Sequence, residues 1–150
     1  MFDLQDLYQD IVMDHNRRPR NFGVLNDATF TADGFNPLCG DQITLYLKVE
    51  DNVVTDIAFD GVGCAISKSS ASMMTDSVKG MTLEKVDGVF NAFRGMITRR
   101  PGDDYDSEIL GDLEILQGVS QYPTRIKCAT LSWHTLHAAL AQSGDTITTE

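Results

Sequence analysis

Apolar and polar positions alternate through the middle of the chain and recur at helical spacing on both sides of it. Two alternating runs, at 42–49 and 53–59, are separated by the polar turn 50–52. Strict alternation is typical of half-buried strands, so this segment predicts an antiparallel hairpin. A shorter run at 29–32 predicts a third strand at the edge of the sheet. The positions expected to face the core of the hairpin are Ile43, Leu45, Leu47, Val49, Val53, Ile57 and Phe59.

Apolar spacings of three and four predict helices before and after this sheet. The second of them is rich in serine and alanine, a composition that allows a neighbouring element to pack closely. The sequence therefore predicts an α+β fold in a single domain covering residues 1–150, with a small three-stranded antiparallel sheet packed by about five or six helices. The polar tail after Gly144 is expected to fray. The predicted helices are 2–16, 63–79, 82–97, 108–117 and 123–140.

The charge balance argues against a nucleic-acid partner. The chain has 12 Lys and Arg against 22 Asp and Glu, with a net charge of −10. Binding to nucleic acid usually requires a basic surface, which this composition does not favour. Arginines do cluster at 17–20 and 99–100, where they would form either a docking face for another protein or the solvated ends of helices.

The distribution of apolar residues along the chain indicates a cytoplasmic protein with no membrane partner. No apolar run approaches the length of a membrane-spanning helix. The first 20 residues lack an uninterrupted apolar segment and contain four aspartates, unlike a cleavable signal. A reducing compartment is expected, where clustered cysteines more often bind metals or react than form disulfides.

Candidate chemistry is concentrated at the three cysteines of the chain. Cys39 and Asp41 flank Gly40, so one turn can present a thiolate and a carboxylate on the same side. The hairpin should bring Cys39 and Cys64 together, because its two outer ends meet. With Cys128 these groups make a four-coordinate donor set suited to zinc. The alternative is that all three are small buried core residues, although neighbouring glycines favour a shared metal or redox site.

Four segments carry a resemblance to a known family. They are Leu7–His15, Asn36–Asp41, Gly61–Ser67 and Arg125–Leu131. Together they resemble the IscU/NifU-like scaffold family of iron–sulfur cluster assembly, over roughly residues 3–141 and with the three cysteines in matching contexts. The resemblance implies the IscU-like version of the α+β fold predicted above.

Two departures make the chain similar to the SufU branch of that family. IscU-type scaffolds have histidine immediately before the third cysteine, and this chain has Lys127. The stretch between the second and third cysteines is also longer than in IscU, with the extra segment at about 96–117. Lysine is a poor metal ligand at neutral pH, so Lys127 weakens the expectation that a cluster is assembled directly on the protein.

The SufU resemblance implies a zinc-dependent sulfurtransferase. By that resemblance Cys39, Asp41, Cys64 and Cys128 bind Zn2+, and Cys39 accepts persulfide sulfur from a SufS-type cysteine desulfurase. Arg125 matches an arginine of the SufU branch near the site. Downstream Suf assembly scaffold proteins would be further partners. Two alternatives remain: a non-catalytic scaffold for a transient [2Fe–2S] cluster, and a protein whose zinc is purely structural.

Local sequence also indicates which ligand can move. Cys39 lies on a loop between Pro37 and Gly40, whereas the other two cysteines are expected at helix starts. Because a closed zinc site is inert, one ligand must leave for sulfur transfer, and Cys39 is the most mobile. Arg125 would stabilise the departing anion by its charge.

Overall fold

The computed structural model describes residues 4–100, 102–141 and 147–148, with side chains described at 9–100 and 102–141. These residues form five α-helices, one 3-10 helix and four strands. In chain order they are α1 (Leu4–Arg17), β1 (Phe30–Asn36), β2 (Asp41–Glu50), β3 (Val53–Val62), α2 (Ala65–Val78), α3 (Leu83–Thr98), α4 (Ser107–Leu110), the 3-10 helix (Gly111–Gln121), α5 (Pro123–Leu140) and β4 (Ile147–Thr148).

The sheet has the order β3-β2-β1-β4, and its first three strands are antiparallel. In the β2–β3 hairpin, Leu45 pairs with Phe59 and Leu47 with Ile57, as predicted for the buried face. The prediction is wrong for Val53, because the register shifts between Lys48 and Val49 and places Val54 in the core instead. The predicted α+β fold and its three-stranded antiparallel sheet are confirmed. The short strand β4 pairs in parallel with β1, where the sequence predicts only a frayed tail; the rest of that tail lies outside the described residues.

Strand β1 is longer than predicted and is not an edge strand, because β2 and β4 flank it. Its extension runs through Gly34, a residue that usually weakens a strand. Here a Cβ at Gly34 would overlap the hydroxyl of Thr135 and approach Leu131 to 3.1 Å, both on α5. The glycine therefore allows α5 to lie directly on the sheet, and the strand continues to Asn36 at the edge of the candidate site.

Helices α2 and α5 pack on one another and on one face of the sheet. The serines of α2 make this packing close: Ser69, Ser70 and Ser72 are fully buried. Ser70 donates a hydrogen bond of 2.6 Å to the carbonyl of Ala129 on α5. The expectation that small residues permit a close neighbour is confirmed. This contact fixes α2 relative to α5; Cys64 immediately precedes α2, and Cys128 lies on α5.

The end of α1 is fastened to the same helix pair. Nδ1 of His15 lies 2.7 Å from the hydroxyl of Ser72, which also accepts the backbone N–H of Arg20 at 2.8 Å. Burial lowers the pKa of His15, so the neutral ring is favoured. Arg18 and Arg20 both bind the carboxylate of Asp14. These two arginines therefore form ion pairs at the C-terminal end of α1.

The segment before α5 differs from the single helix predicted at 108–117. It is one turn of α4 followed by an 11-residue 3-10 helix. Its buried residues Leu113, Leu116 and Val119 recur every three positions, which matches three residues per 3-10 turn. The side chain of Arg99 holds this segment, donating to the carbonyls of Met96 at 2.8 Å and Gln117 at 3.3 Å.

Across the described residues, no helix has both the length and the apolar character needed to cross a membrane.

Candidate metal centre

A tight turn between β1 and β2 carries Cys39. The backbone N–H of Gly40 donates to the carbonyl of Asn36 at 2.9 Å and closes the turn. Gly40 has φ of +72°, a conformation that a side chain would strain. Cys39 is consequently exposed at the tip of the turn, while Asp41, the first residue of β2, is fully buried.

Cys64 is the N-cap of α2, one position before the first turn. Its sulfur accepts the backbone N–H of Ser67 at 3.4 Å. Its own backbone N–H donates to Oδ1 of Asp41 at 2.9 Å. A Cβ at Gly63 would lie 2.9 Å from the same carboxylate oxygen, so this glycine is required by the close approach. The hairpin thus brings Cys64 against Asp41.

Cys128 lies in the second turn of α5, whereas the sequence pattern places it in the first. It is fully buried, and its sulfur lies 3.8 Å from the carbonyl of Thr124. The sulfur atoms of Cys128 and Cys39 are 3.5 Å apart. The close neighbour of the Cys39 thiol is therefore the third cysteine of the chain.

The amide of Asn36 connects these groups, and sequence reasoning missed its role. It is fully buried at the end of β1. Its Nδ2 donates to Oδ2 of Asp41 at 3.3 Å and to the sulfur of Cys128 at 3.7 Å, while its Oδ1 accepts the N–H of Leu38 at 3.3 Å. The only signal in the sequence was the Asn-Pro pair, which marks a turn without indicating a contact.

One donor atom each from Cys39, Asp41 and Cys128 lies within 4.8 Å of the others. Two sulfurs bound to one tetrahedral zinc at about 2.3 Å would lie about 3.8 Å apart. The observed sulfur separation of 3.5 Å is close to that spacing. Cys64 is outside this group of three, although Asp41 binds its backbone. The two thiols and the carboxylate of this group fit zinc in their donor chemistry and in the separation of their sulfurs, and Cys64 adds a third thiol of the same chemistry beside Asp41.

The electrostatics of the group favour a cation. Burial, followed by the hydrogen bond with Cys39 and the charge of Cys64, raises the pKa of Cys128 far above that of a free thiol. Attraction to Cys64, and then interaction with Cys128, raises the pKa of Arg125. The exposed Arg125 guanidinium therefore stands beside the Cys64 and Cys128 sulfurs, of which the buried Cys128 resists ionisation.

The three histidines of the chain lie elsewhere. His15 binds Ser72, as described above. On α5, His134 and His137 pack against the ring of Phe90, with ring centroids 5.9 and 5.1 Å apart. The donor group found among the described residues contains only sulfur and carboxylate ligands.

Exposed surface surrounds the site. A groove of about 1060 Å³ lies between α1, the 3-10 helix and the starts of α2 and α5, and Cys64 and Arg125 line it. Leu38, Val62 and Tyr122 are 63%, 67% and 59% exposed, and each is within three residues of a cysteine or of Arg125. Apolar side chains held in solvent beside a reactive group are suited to contact with a partner protein.

Comparison with known proteins identifies the family. The model of the NifU-like N-terminal domain matches residues 7–142. The chain belongs to this family. Among the members it is similar to the zinc-dependent sulfurtransferase SufU of Bacillus subtilis, with 48% identity over 141 residues, 93% of each chain. It is also similar to the iron–sulfur cluster assembly scaffold protein IscU of Thermotoga maritima, with 39% identity over 134 residues, 89% of this chain and 92% of that one.

Solved structures of the NifU-like family have the same fold. The crystal structure of FiSufU from Fervidobacterium islandicum AW-1 aligns with a TM-score of 0.83 at 30% identity, covering 92% of this chain and 99% of that one. The three cysteine-bearing segments and the additional segment before α5 all lie within the part of the NifU-like domain that the family model matches.

Proposed function

We propose that this protein is a zinc-dependent sulfur acceptor in iron–sulfur cluster assembly, which takes persulfide sulfur from a SufS-type cysteine desulfurase onto Cys39. The observation that carries the proposal is the convergence of donor atoms from Cys39, Asp41 and Cys128 within 4.8 Å. Similarity to SufU at 48% identity supports the same activity. Free thiols persist in a reducing compartment, so we propose that the protein acts in the cytoplasm.

Four residues would hold the metal: Cys39, Asp41, Cys64 and Cys128. When bound, zinc supplies a redox-inert positive charge that keeps the thiols deprotonated. The protein contributes the spacing of these groups, and it buries Asp41 and Cys128 while Cys39 stays exposed.

Hydrogen bonds support Cys39 as the ligand that leaves. The sulfur of Cys64 accepts an N–H from Ser67, and the sulfur of Cys128 accepts one from Asn36. In the part of the chain that the structure describes, the sulfur of Cys39 has only the Cys128 sulfur as a hydrogen-bonding partner. Cys39 is also the one exposed cysteine of the three. It can therefore move outward with the least loss of contacts.

The transfer needs no oxidant or reductant. The Cys39 thiolate attacks the terminal sulfur of the donor persulfide. A new S–S bond forms on Cys39 as the donor's S–S bond breaks, and the donor cysteine leaves as a thiolate. The exposed guanidinium of Arg125 stabilises the anionic sulfur during this exchange. Downstream Suf assembly scaffold proteins would then receive the sulfur.

Metal analysis and mass spectrometry together test the proposal. Protein purified without added metal should contain about one zinc per chain, as a four-ligand site requires. After incubation with desulfurase and cysteine, one added sulfur should be found on Cys39. Zinc-loaded protein that neither stimulates the desulfurase nor gains sulfur would leave only a structural role for the metal.

A cluster scaffold is the second candidate function. Similarity to the Thermotoga maritima scaffold IscU, at 39% identity, favours it. A protein of this kind would be coloured after reconstitution with iron and sulfide, and it would keep its cluster during gel filtration. A colourless protein that retains zinc under the same treatment would exclude it.

We expect zinc removal to lower the melting temperature by roughly 5–10 °C. The proposed ligands join the Cys39 turn to the starts of two helices, so binding contributes to folding; zinc at 100 times its Kd adds about 2.7 kcal/mol. In a chain of this size each kcal/mol corresponds to about 2–4 °C. Scanning calorimetry before and after chelation measures the shift, and adding zinc back should restore it. An unchanged melting curve after proven removal would contradict a site spanning these segments.

Charge reversal at Arg125 should reduce desulfurase stimulation by roughly tenfold, because it places a carboxylate beside anionic sulfur and at the expected docking surface. Arg100→Glu is the matched control: Arg100 is exposed and distant in sequence from the site. Arg99 is unsuitable, since its side chain holds the 3-10 helix. Stimulation is measured as alanine formed by the desulfurase. Equal losses in both variants would mean that the docking surface has been misplaced.

A further inference from the structure

We propose that Asn36 is a positioning residue that selects Cys39 as the mobile thiol, by holding Cys128 and Asp41 in place. The inference rests on the proposed function and names what determines which ligand leaves. The residue lies at the end of β1, opposite Asp41 in the β1–β2 register. It is fully buried, so its amide is surrounded by protein.

Both the nitrogen and the oxygen of the Asn36 side-chain amide form hydrogen bonds. The nitrogen binds the two fixed groups, Asp41 Oδ2 at 3.3 Å and Cys128 sulfur at 3.7 Å. The oxygen accepts the N–H of Leu38 at 3.3 Å, and the backbone carbonyl of Asn36 accepts Gly40 N–H at 2.9 Å. One residue therefore fixes the base of the Cys39 turn and two of the proposed ligands, while the tip of the turn is left free.

This arrangement distinguishes the three thiols. A buried N–H donor directed at a sulfur restricts its orientation, as partners of metal ligands generally do. Cys64 has such a donor from the backbone of α2, and a backbone donor cannot be removed by exchanging a side chain. Cys128 takes a buried N–H donor from the side chain of Asn36, and the exposed guanidinium of Arg125 is its other neighbouring donor. Without the Asn36 amide, Cys128 keeps only an exposed and flexible donor, so its sulfur is held less firmly than in the wild-type protein.

Two substitutions and one control test the role. Asn36→Asp keeps an oxygen for Leu38 but removes both N–H donors, and Asn36→Ala removes the whole amide. Asn21→Asp is the matched control, because the Asn21 amide donates to Thr75 at 3.2 Å away from the site. Competition with a chromophoric chelator gives the zinc Kd. We expect both Asn36 variants to weaken zinc binding by about 10–100-fold, and the control to stay within about twofold of wild type.

The second readout is which thiol reacts. Zinc-loaded protein is treated with substoichiometric iodoacetamide, and labelling is assigned by peptide mass spectrometry. Wild type should be labelled at Cys39, and the Asn36 variants should divert a several-fold larger share to Cys128. If the substitutions instead destabilised the fold in general, labelling would rise at all three cysteines together, and the melting temperature of the zinc-free protein would fall.

The outcomes separate this inference from the proposed function. Wild-type zinc affinity in either Asn36 variant, or labelling that remains confined to Cys39 in both, would overturn the role of Asn36 alone. Wild-type protein that takes up no zinc would overturn the proposed function and this inference with it. Weakened zinc and redistributed labelling in both variants, with the control unchanged, would support the inference.

Discussion

Cys39→Ala should abolish sulfur acceptance while leaving the fold intact. The residue is exposed at the tip of a turn, so its truncation removes no core packing. The other two thiols are held by N–H donors and cannot replace it: Cys64 caps α2, and Cys128 is fully buried. Mass spectrometry after incubation with desulfurase and cysteine should find no added sulfur on this variant. Its circular dichroism spectrum should match that of wild type.

The other cysteines provide the controls for this result. Cys128→Ala removes a buried side chain and one proposed ligand, so it should fail by losing zinc and stability, typically by about 1–3 kcal/mol. Cys64→Ala removes the N-cap acceptor of α2 as well as a ligand, which costs about 1 kcal/mol. Persulfide confined to Cys64 or Cys128, with Cys39→Ala still fully active, would falsify the assignment of Cys39 as acceptor.

The parts of the fold that follow from local patterns could be predicted from the sequence. Alternation of apolar and polar residues gave the β2–β3 hairpin, and helical spacing gave α3 to within one residue of its predicted bounds at 82–97. The full length of β1 could not be predicted, since Gly34 signals a break locally. Glycine is accommodated at position 34 of the strand because α5 packs against it through Thr135, about 100 residues further along the chain. This tertiary contact overrides the local signal.

The 3-10 helix escaped prediction for a different reason. Leu113, Leu116 and Val119 are three apart, and a spacing of three is compatible with both helix types. In the structure the segment is also held from outside by Arg99, whose side chain hydrogen-bonds the carbonyl of Gln117. A contact between separate elements of this kind leaves no periodic trace in the sequence.

The candidate site could also be predicted only in part: the sequence identified the potential ligands but not their separate roles. Residue type and neighbouring glycines were enough to select Cys39, Asp41, Cys64 and Cys128 as potential ligands. Their relative roles depend on three-dimensional contacts, in particular the buried amide of Asn36, which bridges residues 41 and 128. The hairpin argument placed Cys39 and Cys64 together, but the sulfur closest to Cys39 comes from α5 at 3.5 Å. Packing of α5 on the sheet, which Gly34 permits, determines this pairing.

Asp41→Ala separates metal retention from the presence of the acceptor thiol. The carboxylate is fully buried, with Oδ1 accepting Cys64 N–H at 2.9 Å and Oδ2 accepting Asn36 Nδ2 at 3.3 Å. Its removal deletes the one oxygen ligand and leaves the Cys64 N–H without its acceptor, at about 1–3 kcal/mol, while the Asn36 amide keeps only the Cys128 sulfur. We expect zinc binding to weaken by about 100-fold or more, since even an outer partner of a metal ligand contributes 10–100-fold. Sulfur acceptance should fall in parallel, although Cys39 is unchanged.

Asp60→Asn and Asp41→Asn complete the experiment. Asp60, on the neighbouring strand, accepts from the hydroxyl of Tyr46 at 3.4 Å, and its replacement should leave zinc content at the wild-type level. Asp41→Asn keeps the side-chain volume and one oxygen for the Cys64 N–H while removing the negative charge. If zinc is lost from Asp41→Asn as well as from Asp41→Ala, the charge of the carboxylate holds the metal. If Asp41→Asn retains full zinc, the residue acts through its hydrogen bond to Cys64, and the metal has three protein ligands.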